Sequence, residues 1–245
     1  MNQLSRTASI LAVSAISSMS SAQTTTVFDS FEQGSVGTFP ADWSVRFSGG
    51  GTEVSDSVVA VGSKSLWMKG NAFFANEIYT DEHYYFSDGK SAALSFSIYV
   101  DAFDMSSDGC AGTHVRYHGT NGVLVSGIAQ EEPGGPLMIR NTGIEAQTKT
   151  WYHFSCFADY ANGTMDIYVN GELVRDDAPM NPAPDDVRKD RLVAHTGCTD
   201  SGSVISYVDQ ISLHGDPCQA DVNNDGVKNF FDVSRFIDRF NASCD

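Results

Sequence analysis

The sequence of 245 residues predicts an all-β protein, an antiparallel β-sandwich of the jelly-roll type followed by a small calcium loop and helix. Three observations support this. Apolar residues alternate with small or polar ones in run after run between residues 27 and 213. Turn signals recur at short spacing between those runs. The composition changes abruptly after Gly215-Asp216-Pro217, where proline cannot continue a ladder.

In chain order, residues 1–22 read as a secretory signal peptide: Arg6, a short apolar run from Ala8 to Ile16, and a small-x-small ending at Ser20 and Ala22. Cleavage is expected before Gln23, and no run reaches transmembrane length. Residues 23–214 form the predicted sandwich. In SAALSFSIYVDAF, Leu94, Phe96, Ile98 and Val100 share one face. The stretch THVRYHGTNGVLVSGI reads as a hairpin reversing over Gly119–Gly122. In TMDIYVNGELV, Asn170-Gly171 is the dipeptide that a tight hairpin turn prefers. The run 175–190, with three prolines and eight charges, is expected to be an exposed loop. Trp43, Trp67 and Trp151 sit in strand-like patterns and are expected in the core. SVISYVDQISL closes the sandwich. Residues 215–245 form a separate segment in which Val233, Phe236, Ile237 and Phe240 trace a helical stripe.

The net charge of −16 excludes nucleic acid as a partner and is expected to repel strongly anionic polysaccharides unless calcium bridges them. Five cysteines suit an oxidising, extracellular or cell-surface location. Cys218 and Cys244 bracket the tail and are the first choice for a disulfide. Cys110 and Cys198 lie in glycine-containing loops and form a second candidate pair, which leaves Cys156 as a buried thiol.

DVNNDGVKNFFD (221–232) has the spacing of a calcium loop. Asp221, Asn223 and Asp225 offer oxygens at positions 1, 3 and 5, and Gly226 permits the bend. Val227 offers its carbonyl, Asn229 binds directly or through water, and Asp232 closes the loop. Calcium is therefore the expected cofactor. The pattern resembles a dockerin repeat, and the ending FNASCD is similar to the tail of bacterial GC-type dockerin domain-anchored proteins, with Ser-Cys in place of Gly-Cys. The resemblance implies a cohesin-like or cell-surface anchoring partner, with Phe230 and Phe231 where dockerins place partner-reading residues. The family usually carries two repeats and this chain has one, which favours anchoring over two-repeat docking. The alternative for the two phenylalanines is packing on the sandwich or the helix.

The body resembles the concanavalin A-like, laminin-G-like jelly roll through FDSFEQG…FPADW, TWYHFSCFADYANGTMDIYVNGELV and SYVDQISL. A galactose-binding-like jelly roll is the alternative fold. The resemblance implies glycan recognition in many members and hydrolysis or lysis of polysaccharides in some. In jelly rolls with similar ends, an acid of the closing strand joins an early acid around a structural metal. Glu32 and Asp209 are that candidate pair, with Asp29 as the alternative to Glu32, and hydrogen bonding to backbone amides is the other reading. No catalytic residue is assigned: NEIYTDE places Glu77, Asp81 and Glu82 off the spacing that a two-carboxylate hydrolase strand requires. For ligand binding, His114, Arg116 and His118 share a strand face with a planar donor between two imidazoles, and Tyr84 and Tyr85 are candidate stacking partners. The expectation is a non-catalytic glycan- or surface-binding protein. The alternative is a polysaccharide-degrading hydrolase or lyase.

Overall fold

The computed structural model describes residues 26–84, 91–104, 111–119, 122–182, 184–197, 199 and 202–215. Among these there are strands and turns but no helix, so none is long and apolar enough to cross a membrane. The tail, with the calcium loop 221–232, Phe230, Phe231, Cys218 and Cys244, lies outside the described residues. So do the leader 1–22, Tyr85, Cys110 and Cys198.

The strands are β1 (Thr26–Asp29), β2 (Trp43–Ser48), β3 (Gly51–Ser55), β4 (Ser65–Asn71), β5 (Asn76–Thr80), β6 (Ser91–Phe103), β7 (Gly112–Gly119) and β8 (Gly122–Gln130). They continue with β9 (Leu137–Ile139), β10 (Ile144–Glu145), β11 (Trp151–Asp159), β12 (Thr164–Val169), β13 (Glu172–Pro179), β14 (Leu192–Thr196) and β15 (Ser203–His214). They make two antiparallel sheets. Sheet A runs β13-β12-β11-β6-β15-β4-β3, with β1 also paired to β15, and sheet B runs β10-β9-β8-β7-β14-β5-β2. Sequence-distant strands lie side by side, as a jelly roll demands, and the all-β sandwich is as expected.

The alternating pattern fills the space between the sheets. Leu94, Phe96, Ile98 and Val100 are fully buried, and Phe96 stacks on Phe154 with ring centroids 5.1 Å apart. Each such side chain contributes roughly 2–3 kcal/mol by leaving water. Cys156 is buried among them, and burial pushes its thiol up to about 12, which makes it unreactive. The two predicted hairpins form: Gly119 pairs with Gly122, and Asn170 and Gly171 turn the chain with φ of 49° and 89°.

Two expectations change. Residues 175–179 are strand, because β13 runs on to Pro179 as the edge of sheet A, where proline and charge are tolerated. Trp43 is in the core, but Trp67 and Trp151 lie half-buried on the outer face of sheet A. Their neighbours Leu66, Met68 and Phe154 occupy the inward positions. The register lines up Trp67, Tyr207, Tyr99 and Trp151 across four strands.

Candidate functional site

The period of β7 builds the site. Val115 and Tyr117 point into the core, so His114, Arg116 and His118 face outward from sheet B. The register then sets Glu77 of β5 beside His195 of β14, and His195 beside His114 of β7, in one row across three strands. The imidazoles of His114 and His195 stack with centroids 4.5 Å apart. In β2 the pairing shifts between Val45 and Phe47, a bulge that takes Arg46 out of register. Bulges re-aim side chains, and the Arg46 guanidinium reaches Glu77 Oε1 at 2.9 Å.

Glu77 is the hub. Its side chain is only 2% exposed. It accepts from Arg116 Nη2 at 2.9 Å and His195 Nδ1 at 3.1 Å, and lies 3.7 Å from Arg188. Burial alone would raise its pKa, but the bonds from His195 and Arg46 and the charge of Arg116 outweigh it and hold the carboxyl at about 2. Asp186 grips Arg188 through its backbone N–H at 2.9 Å and its guanidinium at 2.6 Å, and also meets Arg46. That turn presents Arg188 to the cleft, and its partners hold Asp186 well below the usual carboxylate range. Burial lowers Arg116 to about 10, still a cation at neutral pH.

A border of Asn181, Pro182, Pro184 and Arg188 lies along one side of this face, tied to β8 by the N–H of Val123 donating to the Asn181 carbonyl at 3.0 Å. Beneath it lies a cavity of about 340 Å³ lined by Arg116, His118, Arg140 and Arg188 among others. A second cavity, of about 500 Å³, continues past His114 and Arg140 toward Glu131 and Asn141. His118 is 2% exposed, and neither ring nitrogen has a partner among the described residues. Burial, with the charge of Arg116, drives its pKa to about 3, so the ring is neutral. Burial likewise lowers His114 and His195. Arg140 pairs with no carboxylate among the described residues, and its buried Nε is unpartnered. The cleft thus sets the guanidiniums of Arg46, Arg116, Arg140 and Arg188 against the carboxylates of Glu77 and Asp186. A chain of strongly negative net charge carries a locally positive cleft, so its net charge does not describe the surface a ligand would meet there.

The structure therefore brings His114, Arg116 and His118 together, but as a buried network rather than a solvated strand face. Tyr84 is not among them. It is 8% exposed at another cavity with Asp29 and Trp43, and its carbonyl accepts the Tyr117 hydroxyl at 2.6 Å. Glu77, His195, Arg46, Arg140 and Arg188 were not assigned from sequence. The one available signal was the glutamate of NEIYT, which alternates with the inward Ile78 on a strand and so points to the opposite face.

The other predicted carboxylates lie elsewhere. Asp209, fully buried, accepts the N–H groups of Ala60 and Val61, each at 3.1 Å, and of Gln210 at 2.7 Å. Glu32 accepts from the N–H of Ser63 at 2.8 Å, of Lys64 at 3.0 Å, and from the Ser63 hydroxyl at 2.6 Å. The Lys64 ammonium binds the Glu32 and Gly34 carbonyls at 2.7 and 2.9 Å, where a cation would look for oxygens. These carboxylates spend their acceptor sites on amides and a hydroxyl, a donor set that leaves little for a metal. Carboxylate oxygens of Asp166, Asp176 and Asp177 lie within 4.8 Å of one another at the β12–β13 edge, a group able to hold a metal ion.

No family model and no curated protein matches the chain. Solved structures do. The cellulose-induced protein Cip1 is similar with a TM-score of 0.52 at 16% identity, over 78% of this chain and 97% of that one. A sialidase gives 0.46 at 14% identity over 70% of this chain, which spans 17% of the sialidase's length. Alginate lyase AlgAT5 of polysaccharide lyase family 7 gives 0.42 at 12% identity, over 66% of this chain and 82% of that one. At 16% identity the likeness to Cip1 speaks for the fold alone, an antiparallel β-sandwich.

Proposed function

We propose that the chain is a secreted, non-catalytic glycan-binding protein whose sheet B cleft takes a carboxylated sugar. The observation that carries this is the buried polar surface left unpartnered there: the Arg140 Nε and both nitrogens of His118, beside a surplus of guanidinium. Buried polar groups without partners are costly, and a ligand carboxylate with neighbouring hydroxyls would satisfy them. A planar guanidinium matches a carboxylate in two bonds. The neutral imidazole of His118 offers one donor and one acceptor to a hydroxyl. The similar fold of a protein named for induction by cellulose agrees with a place in polysaccharide biology. The test is calorimetric titration with glucuronate and galacturonate oligosaccharides and with their carboxyl-reduced forms. Arg140→Ala is expected to weaken uronate binding about tenfold or more. Equal binding of the reduced sugars would overturn the reading.

One observation favours a second reading, a polysaccharide lyase. The unpartnered imidazole of His118 shares a cavity with Arg116, and a guanidinium-held carboxylate that raised its pKa from about 3 would give it the role of a base acting α to that carboxylate. Ultraviolet absorbance of unsaturated products from polyuronates decides it. A hydrolase fits less well. It needs a carboxylic acid kept protonated, whereas Glu77 and Asp186 are both held ionised.

The tail completes the proposal. Asp221, Asn223, Asp225, Val227, Asn229 and Asp232 bind calcium, and the Cys218–Cys244 bridge helps a short segment to fold and anchor the protein. Chelator is expected to abolish hydrogen-exchange protection in 221–240 of the full chain. Equal protection with and without calcium rejects the loop.

A further inference from the structure

We infer that the cleft binds a glycan chain across two unlike subsites, an acidic sugar under the border of Pro182, Pro184 and Arg188 and an uncharged sugar beside Glu131. This rests on the carboxylated-sugar reading above and specifies it. The two cavities share His114 and Arg140 as their common wall. A ligand filling both is therefore at least two sugars long and passes Arg140.

The chemistry differs on the two sides. Under that border the charged groups are Arg116, Arg140 and Arg188, with His118 unpartnered. The far side presents the Glu131 carboxylate, with Asn141 and the imidazoles of His114 and His195. Glu131 is exposed, and its Oε1 accepts the Asn141 N–H. That bond fixes the carboxylate at the mouth, because Asn141 is itself held in the left-handed region at φ 61° and its carbonyl accepts Arg175 Nη1. The second oxygen of Glu131 has no partner among the described residues and is free to accept a sugar hydroxyl. With Arg140 engaged by the first uronate, a second uronate here would meet the Glu131 charge, while a neutral sugar would find hydroxyl-sized acceptors and donors.

Gly112 and Ala129 face each other in the β7–β8 register, and a Cβ on Gly112 would come within 2.5 Å of the Ala129 Cα and the Ile128 carbonyl. Only glycine closes this pair at φ 144°, so Gly112 lets β7 and β8 approach closely at the edge of the second cavity. The arrangement selects a polymer in which uronate and neutral sugar alternate over one in which every sugar is charged. It also selects internal chain segments over single sugars.

The experiment titrates the intact protein with three probes: monomeric glucuronate, an alternating uronate–neutral tetrasaccharide such as one from hyaluronan, and a homo-uronate tetrasaccharide. The alternating probe is expected to bind about fivefold or more tighter than the homo-uronate, the scale of one screened like-charge contact. Glu131→Gln is expected to remove most of that preference by tightening the homo-uronate more than the alternating chain. If the homo-uronate binds as well as the alternating chain and Glu131→Gln changes neither, the two-subsite inference is overturned while the uronate cleft stands. If no probe binds, the cleft reading fails and takes this inference with it.

Discussion

Among the described residues each sheet buries one carboxylate of particular interest, Glu77 and Asp209, and the two behave in opposite ways. Glu77 in sheet B is held at about 2, whereas Asp209 in sheet A is raised to about 6. Both lose water. Glu77 receives guanidiniums and an imidazole in exchange. Asp209 receives only the dipoles of three amides, which do not offset its burial, and the Glu32 charge adds to the rise. Burial depth is therefore a poor guide to a carboxylate's charge, and partner chemistry decides it. The ionised Glu77 organises a cleft of cations, while Asp209 staples the 60–61 turn onto β15.

The steepest response to pH comes from the cations' other neighbours, where three histidines act together. His118 is near pKa 3 in the fold and near 6.5 unfolded, so the unfolded chain binds the proton more readily as the solution is acidified. Stability present above pH 6.5 is lost as pH falls, by about 2 kcal/mol from His118 alone between pH 6.5 and 5. His114 and His195 act in the same direction. Urea unfolding across that range should be clearly flatter for His118→Asn, and an unchanged slope would break this side of the comparison.

Next is the hub itself. Glu77→Gln leaves Arg46, Arg116 and Arg188 facing one another and is expected to cost about 3 kcal/mol at neutral pH. The wild-type contribution is present above the unfolded pKa of 4.5 and disappears as pH falls toward 2, so the variant and the wild type should converge in strong acid. A gap that persists at low pH would assign the loss to packing rather than charge.

The mirror-image variant should do the reverse. Asp209 has a folded pKa above its unfolded value of 3.8, so its ionisation opposes folding as pH rises from about 4 through 6. Relative to Asp209→Asn, the wild type is expected to lose about 2 kcal/mol across that window and then level off. Smallest is the response to calcium at this pair. With acceptor sites filled by amides and Ser63, Glu32→Gln and Asp209→Asn should leave any calcium-induced shift of Tm within about 1 °C of wild type. A larger loss would restore the metal between them.

The same contrast separates what could be read in the sequence from what could not. His114, Arg116 and His118 were legible because a period of two puts them on one face. So were the interior run of β6 and the Asn170-Gly171 turn. The partners of the trio were not legible. Glu77 and His195 are 118 positions apart and meet only through the strand order β7-β14-β5. Arg46 joins them through a bulge, and no local pattern announces one. Tyr84 misled in the other direction: a tyrosine in a polar stretch suggested a stacking surface, but its own chain buries it. Trp67 misled because a large aromatic between two inward residues must itself point out.

The bulge at Arg46 has a further effect, on solubility. β2 is the outermost strand of sheet B, and a regular outer strand offers its free amides and carbonyls to any other extended chain. The shift at Arg46 breaks that repeat, and the residue that breaks it is drawn by Glu77 and Asp186 into a fixed charged pose across the strand. Replacing Arg46 would therefore do more than weaken a cleft. It would leave the half-exposed Val45 and Phe47 on a straighter border, where copies of the molecule could join edge to edge.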